Sequence, residues 1–169
     1  MEKPLIVLGS AHKHGDTHQL VEAVFQNNAY DLIDLLDWPV APYSYEETHP
    51  KTDAFLLLVQ QLLQHQRIVL ATPVYWYSMS GPLKLFFDRL TDLTASHKAL
   101  GRQLAGRRIF LLASGSDPAL PTGFEVPFQL TAAYFNMTFA GSFYQSTKQP
   151  YAAAEAQSFV SRMHETPLR

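Results

Sequence analysis

The chain has 169 residues and a formal net charge of −2, with 47% apolar and 17% charged residues. That length suits a single domain, 1–169, with a core large enough to fold alone, and the composition excludes disordered and coiled-coil classes. The near-neutral charge argues against a nucleic-acid partner. The absence of cysteine excludes disulfides, thiolate metal sites and a cysteine nucleophile, and is read as a cytoplasmic location.

Leu5-Ile-Val-Leu8 reads as a first strand; its four apolar residues are too few for a signal peptide or a membrane span, so no membrane association is expected. Asp16 is the expected N-cap of a helix carrying Leu20, Val21, Val24 and Phe25 at helical spacing. Tyr30 to Leu35 alternates and contains Asp31 and Asp34, as an edge strand would. Asp37 to Pro50, with three prolines and two tyrosines, reads as a long surface loop. A helix fits Thr52 to Gln66, and Arg67 to Ala71 is a strand buried on both faces. The next helix fits Ser80 to Leu93, with Leu83, Phe86, Leu90 and Leu93 on one face and Pro82 in the first turn, where no intrahelical donor is needed. Arg108 to Ala113 is a third buried strand, followed by a helix over Glu125 to Asn136 with Pro127 in its first turn. A second edge strand, Thr138 to Tyr144, and a helix over Pro150 to His164 complete the pattern. Five alternations of strand and helix predict an α/β fold, a doubly wound five-stranded parallel sheet with helices on both faces.

In such a sheet, ligands collect beyond the carboxyl ends of the strands where chain order reverses, which selects three loops. Gly9-Ser10-Ala-His12-Lys-His-Gly15-Asp16-Thr17 combines turn-forming glycines, hydroxyls and the free amides of a helix start, as an anion site needs. An ordinary capped strand-to-helix turn has the same local pattern. The loop lacks the GxGxxG and GK[ST] signatures, so neither a dinucleotide fingerprint nor a Walker loop is present. In Thr72-Pro-Val-Tyr-Trp-Tyr-Ser-Met-Ser-Gly81, three consecutive aromatics cannot all bury on one face of one strand, so at least one ring flanks a pocket or an interface. Ser114-Gly115-Ser116 places small residues at the end of the third buried strand, where amides could reach a planar ring or simply form a turn.

Taken in order, these loops resemble those of the flavodoxin-like NAD(P)H-dependent FMN reductases and quinone oxidoreductases, over nearly the whole chain. Pro73-Val-Tyr-Trp-Tyr-Ser-Met-Ser-Gly-Pro-Leu-Lys-Leu-Phe-Phe-Asp-Arg89 is similar to the family pattern PxYxxSMSGxLKxFxDR, the first loop to its GSxRxxGNT phosphate loop, and Gly123 to Tyr134 to its fourth helix. The resemblance implies sheet order 2-1-3-4-5, the order the flavodoxin fold shows with FMN at its switch point. It implies FMN as cofactor, with Ser10, His12, Gly15, Asp16 and Thr17 around the phosphate and Pro73, Val74, Tyr75, Trp76, Tyr77, Ser78, Ser114, Gly115 and Ser116 bordering the isoalloxazine. It further implies NADPH or NADH as donor of a hydride to flavin N5, and a small acceptor such as a quinone, a nitro or azo compound or free flavin. No side-chain acid or base is required, because the flavin carries the chemistry. Amides of Gly115 and Ser116 near the pyrimidine edge would stabilise the charge of the reduced flavin. A homodimer or higher homo-oligomer is also implied. The alternative is a flavodoxin-type electron carrier without a substrate of its own, against which the nearly neutral charge speaks.

His12 stands where the family usually has arginine and Asp16 where it usually has asparagine. FMN binding is therefore expected to tighten as pH falls through the histidine range, with Lys13, His14 and His18 as further sources of positive potential. The histidines invite a metal reading, but only Asp16 could join them in a first shell, and no metal site is expected. No GxSxG elbow supports a hydrolase.

Overall fold

The computed structural model describes residues 2–165. Five strands, β1 (Leu5–Leu8), β2 (Asp31–Asp34), β3 (Arg67–Pro73), β4 (Arg108–Gly115) and β5 (Thr138–Ser146), form one parallel sheet in the order β2-β1-β3-β4-β5. This is the flavodoxin-like, doubly wound order that the family resemblance implies. The helices are α1 (Asp16–Phe25), α2 (Phe55–Leu63), α3 (Gly81–Arg89), α4 (Lys98–Arg102), α5 (Val126–Tyr134) and α6 (Ala153–His164), with a 3₁₀ turn at Leu90–Thr94. No helix among the described residues is long and apolar enough to cross a membrane.

The central strands are apolar on both sides because each side meets its own helical layer. Leu5, Val7, Ile68, Leu70, Ile109 and Leu111 face a core completed by α2, α3 and α5. Their alternates Ile6, Leu8, Val69, Ala71, Phe110 and Leu112 face α1 and α6. With side chains pointing alternately to opposite faces, only continuous apolar runs can serve both layers.

Several boundaries differ from expectation. Gly15, not Asp16, occupies the N-cap of α1, and Asp16 is its first helical residue. The predicted helix over Thr52 to Gln66 begins only at Phe55, because Asp53 and Ala54 are committed elsewhere: the Ala54 amide donates to the Pro39 carbonyl and the Asp53 carboxylate to a buried ion pair. The helix predicted over Ser80 to Leu93 tightens into the 3₁₀ turn after Arg89, and the short α4 follows it without a periodic apolar signal in the sequence. Two of the three buried strands, β3 and β4, and the edge strand β5 run further at their carboxyl ends than periodicity indicated, to Pro73, Gly115 and Ser146.

The long loop after β2 is not merely a surface feature. Trp38 and Val40 pack on the core, and the loop is tied down by Arg89, whose side chain is 1% exposed. Its guanidinium donates to both oxygens of Asp53 (2.8 and 3.0 Å), to Asp92 Oδ2 (3.0 Å) and to the Ala41 carbonyl (3.1 Å), and lies 4.7 Å from the Phe55 ring centroid. Asp53 in turn accepts from the Ala41 amide at 2.8 Å. Burial pushes the Asp53 carboxyl up, but the Arg89 hydrogen bonds and the Ala41 amide together hold it below the ordinary carboxylate range.

A carboxylate whose folded pKa is depressed contributes stability above its unfolded pKa and loses it as pH falls through the folded value. Urea unfolding should therefore show stability declining below about pH 4, with a shallower decline in Asp53→Asn. At neutral pH that substitution removes one of the two carboxylates paired with the buried guanidinium, leaving Asp92, and should cost about 1–3 kcal/mol. An acid limb identical in the variant and the parent protein would contradict this account of Asp53.

Candidate functional site

The carboxyl ends of β1, β3 and β4 open into one cleft of about 540 Å³ lined by Ser10, His12, His14, Gly15, Asp16, Thr17, Gln19, Pro73, Val74, Tyr75, Ser114, Gly115, Ser116 and Thr147. Its size lies within the range of roughly 300–1,000 Å³ usual for small-molecule sites. Eleven of the fourteen residues singled out from the sequence thus come together in one place, drawn from three loops.

Hydrogen bonds across the sheet edge hold those loops in mutual register. Gly9 N–H donates to the Ala71 carbonyl (2.8 Å), while Ser80 Oγ donates to the Gly9 carbonyl (2.6 Å) and accepts from Leu83 N–H (3.3 Å) as the N-cap of α3. Ser80 N–H donates to Thr72 Oγ1 at 3.1 Å. Val74 N–H donates to the Ser114 carbonyl, and Thr147 N–H to the Gly115 carbonyl, both at 2.7 Å. Thr17 Oγ1 and Ser114 Oγ, both buried, bond to each other at 2.7 Å and so join the first loop to the third. Each of these hydroxyls is partly spent on the other, which makes them the floor of the cleft as well as a source of polar atoms.

At the first-loop end, no side chain caps α1, so the amides of its first turn remain available to a ligand. The His12 ring folds over Gly15: a Cβ at Gly15 would lie 2.9 Å from His12 Nδ1. His14, in the left-handed region at φ 56°, stacks edge-on against His18 with ring centroids 4.8 Å apart. Ser10 Oγ bonds the His12 amide at 3.2 Å. Lys13 does not line the cleft; it pairs with Asp37, which together with Asp34 raises its pKa. Among the described residues no cluster of His, Cys, Asp or Glu could hold a metal ion.

At the opposite end the chain makes a tight hairpin. Tyr75 N–H donates to the Ser78 carbonyl (2.9 Å) and Ser78 N–H to the Tyr75 carbonyl (3.1 Å), with Trp76 at φ 48° and Tyr77 at φ 65° between them. Two consecutive positive φ values are those of a type I′ turn, whose central positions usually hold Asn or Gly. Placing aromatics there costs about 1–2 kcal/mol per residue. Trp76 is 93% and Tyr77 70% exposed, and neither they nor Ser78 line the cleft; Tyr75 does. Beside the third loop, Tyr144 of β5 donates to the Asp117 carbonyl at 2.8 Å, and its burial raises its pKa. The same hydroxyl would stand 2.9 Å from a Cβ at Gly115, so that backbone is accessible only while the residue is glycine.

Three lining residues were missed. His14 enters the sequence reading as a source of positive potential and as a rejected metal ligand, not as a wall of the cleft. Gln19 lies one turn into α1, donating to the His14 carbonyl (3.4 Å), and Thr147 follows β5, a strand that ended too early in the periodicity to reach the edge.

The sequence profile of NADPH-dependent FMN reductases matches residues 3–149. The chain belongs to that family. Bacillus subtilis (strain 168) YwqN, named as an NAD(P)H-dependent FMN-containing oxidoreductase, is 26% identical over 148 residues, 82% of either chain. The Trp repressor binding protein of Bacillus subtilis superposes with a TM-score of 0.71 at 22% identity, covering 98% of this chain and 100% of that one. The FMN-dependent NADH-azoreductase of Bacillus anthracis, solved in complex with FMN, gives 0.66 at 10% identity over 96% of both. At these identities the two structures establish the shared fold.

Packing at the junction of the first loop and α3 yields a direct test. A Cβ at Gly9 would sit 2.6 Å from Leu83 Cβ and 3.3 Å from its Cα, with helix backbone behind it. Gly9→Ala should lower the unfolding free energy by about 1–3 kcal/mol in urea titration; unchanged stability would show that α3 is free to move away from β1.

Proposed function

We propose that this protein is an FMN-dependent oxidoreductase that draws reducing equivalents from NADPH or NADH and delivers them to a small acceptor, such as a quinone, a nitro or azo compound or free flavin. The observation that carries this reading is the convergence of three loops on one cleft at the switch point of the sheet, in a chain of the FMN reductase family.

The residues present fit the cofactor. Uncapped helix amides and hydroxyls at one end suit a phosphate, and a strip of backbone and apolar side chain at the other suits a flat ring. Ser10, His12, Gly15, Asp16 and Thr17 would surround the phosphate. Pro73, Val74, Tyr75, Ser114, Gly115 and Ser116 would border the ring, with Gly115 allowing close approach and Tyr144 steadying the loop. Trp76 and Tyr77, on the hairpin tip, would serve the acceptor or a second subunit, and Ser78 closes the hairpin behind them. FMN, held by these residues, would supply the redox chemistry of hydride and electron transfer. The protein contributes orientation and a fixed polar environment, with no side-chain acid or base. A homodimer is consistent with the exposed aromatics, and a cytoplasmic site of action with the absence of cysteine.

Rapid mixing of the FMN-loaded protein with NADPH or NADH separates this reading from an electron carrier. Loss of flavin absorbance on the timescale of turnover is expected; a flavin that stays oxidised would favour the carrier. Gly115→Ala places a methyl 2.9 Å from the Tyr144 hydroxyl and 3.2 Å from Val74 Cβ, narrowing the ring end. It should raise the Kd for FMN about tenfold, read by flavin fluorescence.

A further inference from the structure

The polar end of the cleft has an unusual charge inventory. Among the described residues no lysine or arginine lines it; the groups there that can carry charge are His12, His14 and Asp16. His12 lies directly over the start of α1, against Gly15. Asp16 sits in the first turn of that helix and makes no ion pair among the described residues. The one permanent cation of the loop, Lys13, is held outward by Asp37 with Asp34 beside it.

A phosphate dianion entering this end would meet helix amides, one carboxylate and two imidazoles. The helix amides attract it and the Asp16 carboxylate repels it, so the balance turns on the imidazoles. Histidine is the side chain type that ordinarily changes charge between pH 5 and 8. The remaining neighbours do not mask this. On α1, His18 contacts the His14 ring and lies 3.7 Å from Glu22, and neither His18 nor Glu22 lines the cleft. The lining residues from the β3, β4 and β5 loops, including Ser114, Ser116 and Thr147, carry no acid or base other than the Tyr75 phenol. The adjacent Asp117 and Lys148 lie outside the lining.

We propose that His12 and His14, opposed by Asp16 and unaided by Lys13, set the selectivity of this cleft for FMN over the phosphate-free flavin riboflavin, and make that selectivity a function of pH. The proposal rests on the flavin reading of the cleft. Its readout is a ratio of affinities, because riboflavin shares the ring and ribityl chain and cancels any pH effect on that part of the site.

The test is fluorescence titration of the flavin-free protein with FMN and, separately, riboflavin at about pH 6 and about pH 8. The FMN-to-riboflavin affinity ratio should rise about three- to tenfold from the higher to the lower pH. FMN's own phosphate gives up its second proton near pH 6, so the variants isolate the protein's share. The double variant His12→Gln, His14→Asn should hold the pH 6 ratio near its pH 8 value; asparagine suits the left-handed backbone at position 14. Asp16→Asn should raise the ratio at both pH values, and Lys148→Ala should leave its pH dependence intact. Circular dichroism of each variant checks that it is folded.

A ratio that is flat or falls on acidification in the parent protein, or that rises undiminished in the double histidine variant, overturns the proposal while leaving flavin binding established. Binding of neither flavin overturns the FMN reading itself, and this proposal with it.

Discussion

Everything at the functional edge depends on the two-sided burial of β1, β3 and β4. A parallel strand with apolar side chains on both faces needs helices on both sides, and each helix must return the chain to the same end of the sheet. The loops after β1, β3 and β4 therefore emerge together at the carboxyl edge, whatever their own sequences. Register then matters: Leu8 pairs with Ala71 and Pro73 with Ser114, so β3 and β4 overhang β1 and wall the cleft into which the first loop turns.

Holding these loops in place takes polar atoms that might otherwise have been left to a ligand. Ser80 is divided between capping α3 and fastening Gly9, and Thr17 and Ser114 bond to one another. Each such bond is worth about 0.5–1.5 kcal/mol net, but an unpaired partner in so buried a setting would cost more than that. The hydroxyls therefore act less as isolated contacts than as a lattice giving the cleft one geometry. Arg89 does the equivalent for the back of the molecule, gathering Asp53, Asp92 and Ala41 onto one guanidinium.

The sheet was legible because its signal is local: Leu5-Ile-Val-Leu8, Arg67 to Ala71 and Arg108 to Ala113 are runs that only a strand covered on both faces explains. The site was legible to the extent that it lies at the ends of those runs, and Ser10, Thr17, Tyr75 and Gly115 are all found in the cleft. What escaped was long-range. Arg89 sits in the most specific motif of the chain, yet its buried partners Asp53 and Ala41 lie 36 and 48 positions away, so nothing near it announces the network. Thr147 was hidden because β5 runs past the alternating segment, to Ser146. The helix starts were misjudged for a related reason. Asp16 looks like a cap and Thr52 like a helix start locally, whereas Gly15 and the commitments of Asp53 and Ala54 decide where α1 and α2 begin.

The aromatic hairpin has a kinetic side. Because both central residues already occupy left-handed backbone and two hydrogen bonds close the turn, the tip has done its conformational searching during folding. A planar molecule stacking on Trp76 would order little that is not already ordered, so it gives up little chain entropy on arrival and leaves without waiting for a loop to reopen. Such a surface would favour brief, repeated encounters with any planar molecule that reached it.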